Sequence, residues 1–258
     1  MRRSKGLVST VVNSHDLDFV ILAECRIEIG ELLHVLNAEE PYFERIPSSS
    51  GKIVILTRFD PAFVGWTDEG HNYSIRQLRP PARDEIILAT AHLRSKLRNK
   101  TEDQVMACVR FAKKIAAAEK HLGHRRTIVV GDLNMNPFEH GVVGTEGFHA
   151  VMSRAISLRG SRTVEKIEYP FFYNPMWAHF GDREDGPAGT YYYDNASDIN
   201  YFWNMFDQVL LRPELAKSFR EKDLQILTKA GDTDLLKNGR PDTRVGSDHL
   251  PILFRVDF

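Results

Sequence analysis

The sequence predicts an α/β fold, a mixed sandwich of helices and sheets, on three observations. Helical and strand-like patterns alternate through the first half of the chain. Apolar, strand-like runs recur throughout with hairpin-like spacing, which argues against a purely parallel sheet. Five of those runs end or begin at acidic, amide or imidazole side chains, so their polar ends can gather on one rim where neighbouring strands run in opposite directions.

Taken in order, Ser4 can cap a first helix whose apolar positions Leu7, Val8, Val11 and Val12 recur at helical spacing, ending near residues 13–16. The run Phe19–Ala23 then leads into Glu24, and a second helix is expected over Ile29–Leu36. Strand-like runs follow at residues 52–57, 62–66 and Tyr73–Leu78, and the run at 85–91 ends at His92. Thr101-Glu102-Asp103-Gln104 has the form of a capping box. Val105, Cys108, Val109, Ala112, Ile115 and Ala116 then make one stripe along a helix that Gly123 closes. Residues 127–130 run toward Asp132, the run at 206–211 opens with Asp207, and residues 250–256 run away from His249. The stretch 181–204 is polar at first and then dense in aromatics: Tyr191, Tyr192, Tyr193, Tyr201, Phe202 and Trp203. It can stack on bases at the rim of a site or pack over the sheet edge. Packing is the preferred expectation, with Tyr193 and Trp203 sharing in both roles.

A chain of 258 residues can bury a substantial core. One domain over residues 1–258 is expected, because the candidate site draws on both ends of the chain. A formal net charge of -1 argues against wrapping nucleic acid by bulk electrostatics. Two local basic stretches remain, Arg94, Lys96, Arg98 and Lys100, and His121, His124, Arg125 and Arg126; the simpler expectation for them is a solvated loop and a helix C-terminus. Cys25 and Cys108 are too few for a disulfide framework and suit a reducing interior, with neither a metal ligand nor a nucleophile. No run approaches the roughly 20 apolar residues needed to cross a bilayer, and no long apolar core follows Met1-Arg2-Arg3-Ser4-Lys5. A cytoplasmic protein without a membrane partner is expected.

Glu24, Asp132, Asn134 and Asp248 offer only oxygen donors, which suit Mg²⁺, or Mn²⁺, rather than zinc. Because Mg²⁺ keeps several waters and favours phosphate oxygens, a phosphate ester is the natural substrate. His249 can act as a general base or as a cationic phosphate contact, and Asp207 is the candidate carboxylate for fixing its tautomer. Asn134 can donate its amide to a phosphate oxygen, and His92 can supply a second imidazole on the leaving-group side. Each assignment has a structural competitor. Gly-Asp-x-Asn and Ser-Asp-His both suit turns, Glu24 can cap a helix, Asp207 can be an edge charge, and His92 can be a half-buried histidine with its bonds satisfied.

In their order along the chain, Leu22-Ala23-Glu24, Thr90-Ala91-His92-Leu93, Gly131-Asp132-Leu133-Asn134, Asp207-Gln208 with Leu210-Leu211, and Ser247-Asp248-His249 resemble the motifs of the endonuclease/exonuclease/phosphatase superfamily, the DNase I-like proteins. The resemblance spans most of the chain. It implies a four-layer α/β sandwich with two central mixed β-sheets and Mg²⁺-dependent phosphodiester or phosphomonoester hydrolysis. It also implies that Glu24 and Asp248 serve the metal, that Asp132 and Asn134 position the nucleophile and contact phosphate, and that His249 with Asp207 forms the acid–base dyad. In one respect the chain departs from the pattern: it opens in a helix, where such proteins usually open with an Asn-bearing strand. A true start upstream of Met1 is the expectation. The expected activity is nuclease-like phosphodiester hydrolysis. A nucleotide, sugar or inositol phosphate phosphatase is the alternative, and an inactive pseudoenzyme acting as a binding module is the competing class.

Overall fold

Strands buried on both faces set the architecture. The computed structural model describes residues 2–38, 40, 42–95, 100–181 and 186–257; Lys96 and Arg98 of the first basic stretch lie outside them. The chain runs α1 (Arg2–Ser14), β1 (Phe19–Ala23), α2 (Ile29–Leu36), β2 (Glu44–Arg45), β3 (Ile53–Thr57), β4 (Val64–Gly70), β5 (Tyr73–Leu78), β6 (Ile86–His92), α3 (Thr101–Leu122) and β7 (Thr127–Asp132). Short strands follow: β8 (Ala150–Val151), β9 (Ser161–Val164), β10 (Ile167–Pro170), β11 (Phe172–Tyr173), β12 (Tyr191–Tyr192), β13 (Trp203–Asn204) and β14 (Asp207–Leu211). The last part holds β15 (Gln225–Ile226), β16 (Lys229–Ala230), β17 (Thr233–Asp234), β18 (Leu236–Lys237), β19 (Arg240–Pro241) and β20 (Ile252–Leu253).

Seven strands form one mixed sheet in the order β4-β5-β6-β7-β14-β11-β8, in which β6 with β7 and β11 with β8 are parallel and the other pairs antiparallel. Its central strands read as continuous apolar runs because alternate side chains enter different cores. Ile87, Ala89 and Ala91 of β6, Val129 of β7 and Leu210 of β14 pack with Cys108, Phe111, Ile115 and Ala118 of α3. The intervening residues, Ile86, Leu88, Ile128, Val130, Val209 and Leu211, face the opposite way and meet Phe19 and Ile21 of β1 together with Ile226, Ile252 and Phe254. On β1 the alternation continues, since Val20 and Leu22 turn outward onto Val12, Leu32 and Leu36 of α1 and α2. Four layers result, helix, sheet, sheet, helix, as the resemblance implies.

Several local expectations change. The smaller sheet, β1-β3-β2, is wholly antiparallel, and β15 with β20 forms a separate two-stranded ladder on the same core. β1 is the edge of its sheet, with β3 as its one strand partner among the described residues. The expected final strand shrinks to Ile252–Leu253 with a single bridge at Val256. Ser4 falls inside α1, which already begins at Arg2. The capping box over Thr101 to Gln104 shifts by one residue: Lys100 is the N-cap, its amide held by Asp103. Gln104 is buried instead, donating to the carbonyls of Arg94 (2.8 Å) and Asn134 (3.2 Å), so the start of α3 is fastened to the loops that follow β6 and β7. Gly123 closes α3 in the left-handed conformation at φ 74°.

Candidate active site

Strand register builds the centre of the site. His92 pairs with Asp132 across β6 and β7, and Asp132 with Asp207 across β7 and β14. β6 and β7 end at this rim and β14 begins there, so three chemically active residues stand in one row. His249 joins the row from a loop. Its backbone amide is held by Ser247 Oγ (3.1 Å), the Leu250 amide by the Thr190 carbonyl (2.8 Å), and its ring lies on Tyr191 with centroids 4.7 Å apart. His249 Nδ1 lies 2.7 Å from Asp207 Oδ2, the pairing expected of an oriented imidazole. Burial disfavours the charged ring, but the carboxylates of Asp207, Asp132 and Asp248 outweigh it and hold its pKa at about 9.

Glu24 directly follows β1 at φ 48°, a left-handed conformation that a non-glycine residue adopts at a cost, and its amide donates to the Lys52 carbonyl (2.9 Å). It is not a helix cap, since Glu28 caps α2 by accepting from the Glu31 amide. Its Oε1 atom carries the Lys52 ammonium and, at 3.1 Å, His92 Nε2. Lys52 and His92 hold the Glu24 carboxyl below the usual range. His92 Nδ1 stands 3.1 Å from Asp132 Oδ2 but off the angle of a hydrogen bond, so the imidazole bridges two carboxylates. Burial works against its charge, yet Asp132 and Glu24 together raise its pKa. Asp132 is itself buried, and burial with the like charge of Asp207 raises its pKa against the pull of His92 and His249.

This geometry places two residues expected to face the phosphate. His92 Nε2 is held on Glu24 Oε1, while its Nδ1 faces Asp132 Oδ2 without a hydrogen bond. The Asn134 amide donates to Asp132 Oδ2 (2.8 Å) and the Leu93 carbonyl (3.1 Å), which spends both of its hydrogens; its backbone N–H completes a turn onto Asp132 Oδ1 (2.8 Å). The turn competitor for Gly-Asp-x-Asn is therefore realised alongside the site, and Asn134 braces Asp132.

The row opens onto a cavity of about 820 Å³. Glu24, His92, Asp132, Asn134, Asp248 and His249 all line it, although Glu24 and His249 lie more than 220 positions apart in the chain. Asp207 stands behind His249. Tyr193 and Tyr201 line the cavity, with Tyr193 stacked at 6.2 Å and 15° on Tyr191, itself stacked at 5.4 Å and 21° on Phe206. Trp203 does not line it. On β13 it pairs opposite Tyr192 and packs on the cluster of Ala230, Leu235 and Leu250, which corrects its expected ligand role: strand alternation sends it to the core side. Sequence reasoning missed Lys52 and Arg26 as lining cations, and Arg94, which it set in a basic stretch expected to be a solvated loop, lines the cavity as well. Cys108 is buried, which pushes its thiol pKa up and makes it inert. Among the described residues no helix is long and apolar enough to cross a membrane.

No family model matches the chain, and no curated protein matches its sequence. Solved structures do match. The fold is the one these solved structures share, a DNase I-like α/β sandwich. The chain is similar to truncated TDP2 from Caenorhabditis elegans, at 16% identity and a TM-score of 0.58 over 98% of this chain and 91% of that one. It is similar to ANGEL2, a 2',3'-cyclic phosphatase, at 14% identity and 0.59 over 96% and 84%. An endonuclease/exonuclease/phosphatase family protein from Bacteroides thetaiotaomicron aligns at 15% identity and 0.58 over 99% and 88%.

Proposed function

We propose that the protein is a divalent-metal-dependent phosphoesterase that hydrolyses phosphodiester bonds in nuclease-like fashion, with residues 1–258 acting as one catalytic domain. The observation that carries this is the His249–Asp207 pair, at 2.7 Å, aligned with buried Asp132 on the wall of a cavity that Glu24 and Asp248 also line. All three cavity carboxylates are hard oxygen donors. Among the described residues no group of three or more His, Cys, Asp or Glu forms a ready-made metal cluster. That donor set fits Mg²⁺ or Mn²⁺, which take one or two carboxylates and complete their shells with water and phosphate oxygens. Glu24, Asp248 and Asp132 are the residues that would hold the ion, and when bound it would neutralise charge on the phosphate and activate water.

The chain's own groups have separable tasks. His249 contacts the phosphate and carries the transferable proton, while Asp207, 2.7 Å from Nδ1, fixes the ring so that Nε2 remains for chemistry. Asp132 orients the nucleophile and is itself held by His92 and Asn134. Tyr193, 37% exposed beside the dyad, offers a face to a base, which favours a nucleic-acid substrate over a sugar or inositol phosphate. A nucleotide phosphatase is the second hypothesis, since the cavity volume lies within the range that encloses one small ligand.

Plasmid, oligonucleotides, nucleotides and inositol phosphates, each assayed with Mg²⁺ and with chelator, test the proposal. Metal-dependent cleavage of nucleic acid is expected, and His249→Ala, Asp132→Ala and Glu24→Ala should each lower turnover by about 10²–10⁴ while the fold survives by circular dichroism. Activity unchanged by chelator sinks the metal assignment. Phosphate binding without turnover in any assay would favour a pseudoenzyme.

A further inference from the structure

We propose that Lys52 is a resident counter-cation of the site: its ammonium competes with a divalent cation for the Glu24 carboxylate and, once displaced, turns to the phosphate of the substrate. The inference rests on the proposal that Glu24 serves a metal, and it adds a residue that no motif of the chain contains.

The pairing is built by the backbone. Ala23 lies opposite Ile53 in the β1–β3 register, so Glu24 and Lys52 are the next facing pair, and the bond from the Glu24 amide to the Lys52 carbonyl closes it at 2.9 Å. The side chains then meet on the cavity wall, where the ammonium sits on Oε1, the same atom that accepts His92 Nε2. Two cationic or proton-donating groups therefore crowd one carboxylate oxygen, and a dication that takes Oε1 has to displace the ammonium. Lys52 can yield without backbone movement, because its charge stands on a flexible four-carbon stem with three rotatable donors, and its side chain is 33% exposed. Exposure also keeps the pair weak enough to exchange. The released ammonium has a second use. The cavity carries the carboxylates of Glu24, Asp132 and Asp248, which repel an incoming phosphate, and Lys52 lines the same wall as Arg26 and Arg94.

Titration calorimetry on the full chain, with Mg²⁺ alone and then with inorganic phosphate at saturating Mg²⁺, tests both halves. K52M and K52Q should each bind Mg²⁺ about three- to tenfold more tightly than wild type, as expected for removing a weak competing ion pair, whereas K52R should bind no more tightly than wild type. At saturating Mg²⁺, K52M and K52Q should bind phosphate about tenfold more weakly. Unchanged or weaker Mg²⁺ binding in both neutral variants overturns the counter-cation role, and unchanged phosphate binding overturns the hand-over. E24Q separates this from the broader proposal. If E24Q binds Mg²⁺ as wild type does, Glu24 is not a metal-side residue and the metal assignment fails as well. If E24Q loses Mg²⁺ while K52M matches wild type, only the role of Lys52 fails.

Discussion

Gly131 adopts φ 141°, and a Cβ placed on it would lie 2.0 Å from the Ala91 carbonyl oxygen, across the parallel pair that carries His92 and Asp132. Glycine is needed there for the close approach of two backbones. G131A should destabilise the protein by about 3 kcal/mol or more and disturb the His92–Asp132 register, measured as a lower urea midpoint together with lost turnover. A variant as stable as wild type would show that the strands can part at no cost. The residue scale also shows where side-chain identity was informative. Glu24, Asp132, Asp248 and His249 each end or precede an apolar run, and the cavity gathers them all. The same identity did not say which way Asn134 spends its amide or that His92 would bridge two carboxylates.

At the scale of elements, α3 is locked to the sheet by one buried ion pair. Arg212, just after β14, places Nε 2.8 Å from Glu119 Oε1 and Nη2 3.1 Å from Oε2, while Nη1 reaches the carbonyls of Pro170 (3.1 Å) and Phe171 (3.0 Å). Its guanidinium lies 3.7 Å over the Phe172 ring, and Glu119 also accepts from Thr127 Oγ1 at 2.7 Å. R212M leaves a buried carboxylate without its cation and should cost about 3–5 kcal/mol, whereas R212M combined with E119L should recover much of that loss. Chemical denaturation of the two variants decides it; equal loss in both would mean that the packing of the arginine stem, not the charge pair, holds α3. Elements with long periodic patterns, such as α3, β6 and β7, are legible in the chain because burial repeats within them. β20 is not, since a run of seven apolar-leaning residues forms only two ladder residues when its neighbour β15 is equally short.

For the molecule as a whole, acid should act through Glu69. Burial opposes its charge, but the hydroxyls of Ser48 (2.6 Å) and Ser49 (2.9 Å), the Ser49 amide (2.9 Å) and Arg76 outweigh burial and hold its pKa at about 2, against an ordinary 4.5. These bonds fasten the loop before β3 to β4 and β5, and so tie the two sheets together. A folded pKa below the unfolded one means that the stability is present above about pH 4.5 and is lost as pH falls toward about 2. In that window wild type should lose about 1–2 kcal/mol that E69Q does not, read as the difference between their thermal melting curves against pH. Parallel curves would place the acid sensitivity elsewhere.

By itself the sequence determined a mixed α/β sandwich and the rim on which the site lies. The continuous apolar runs of β6, β7 and β14, buried on both faces, and the polar residues at their ends are written locally in the order of side chains. Tertiary structure alone decided the pairings: the row of His92, Asp132 and Asp207, the Lys52 ammonium on Glu24, and the turning of Trp203 into the core. The physical reason is that a partner across a sheet is chosen by strand register, which depends on segments far apart in the chain and has no local signature.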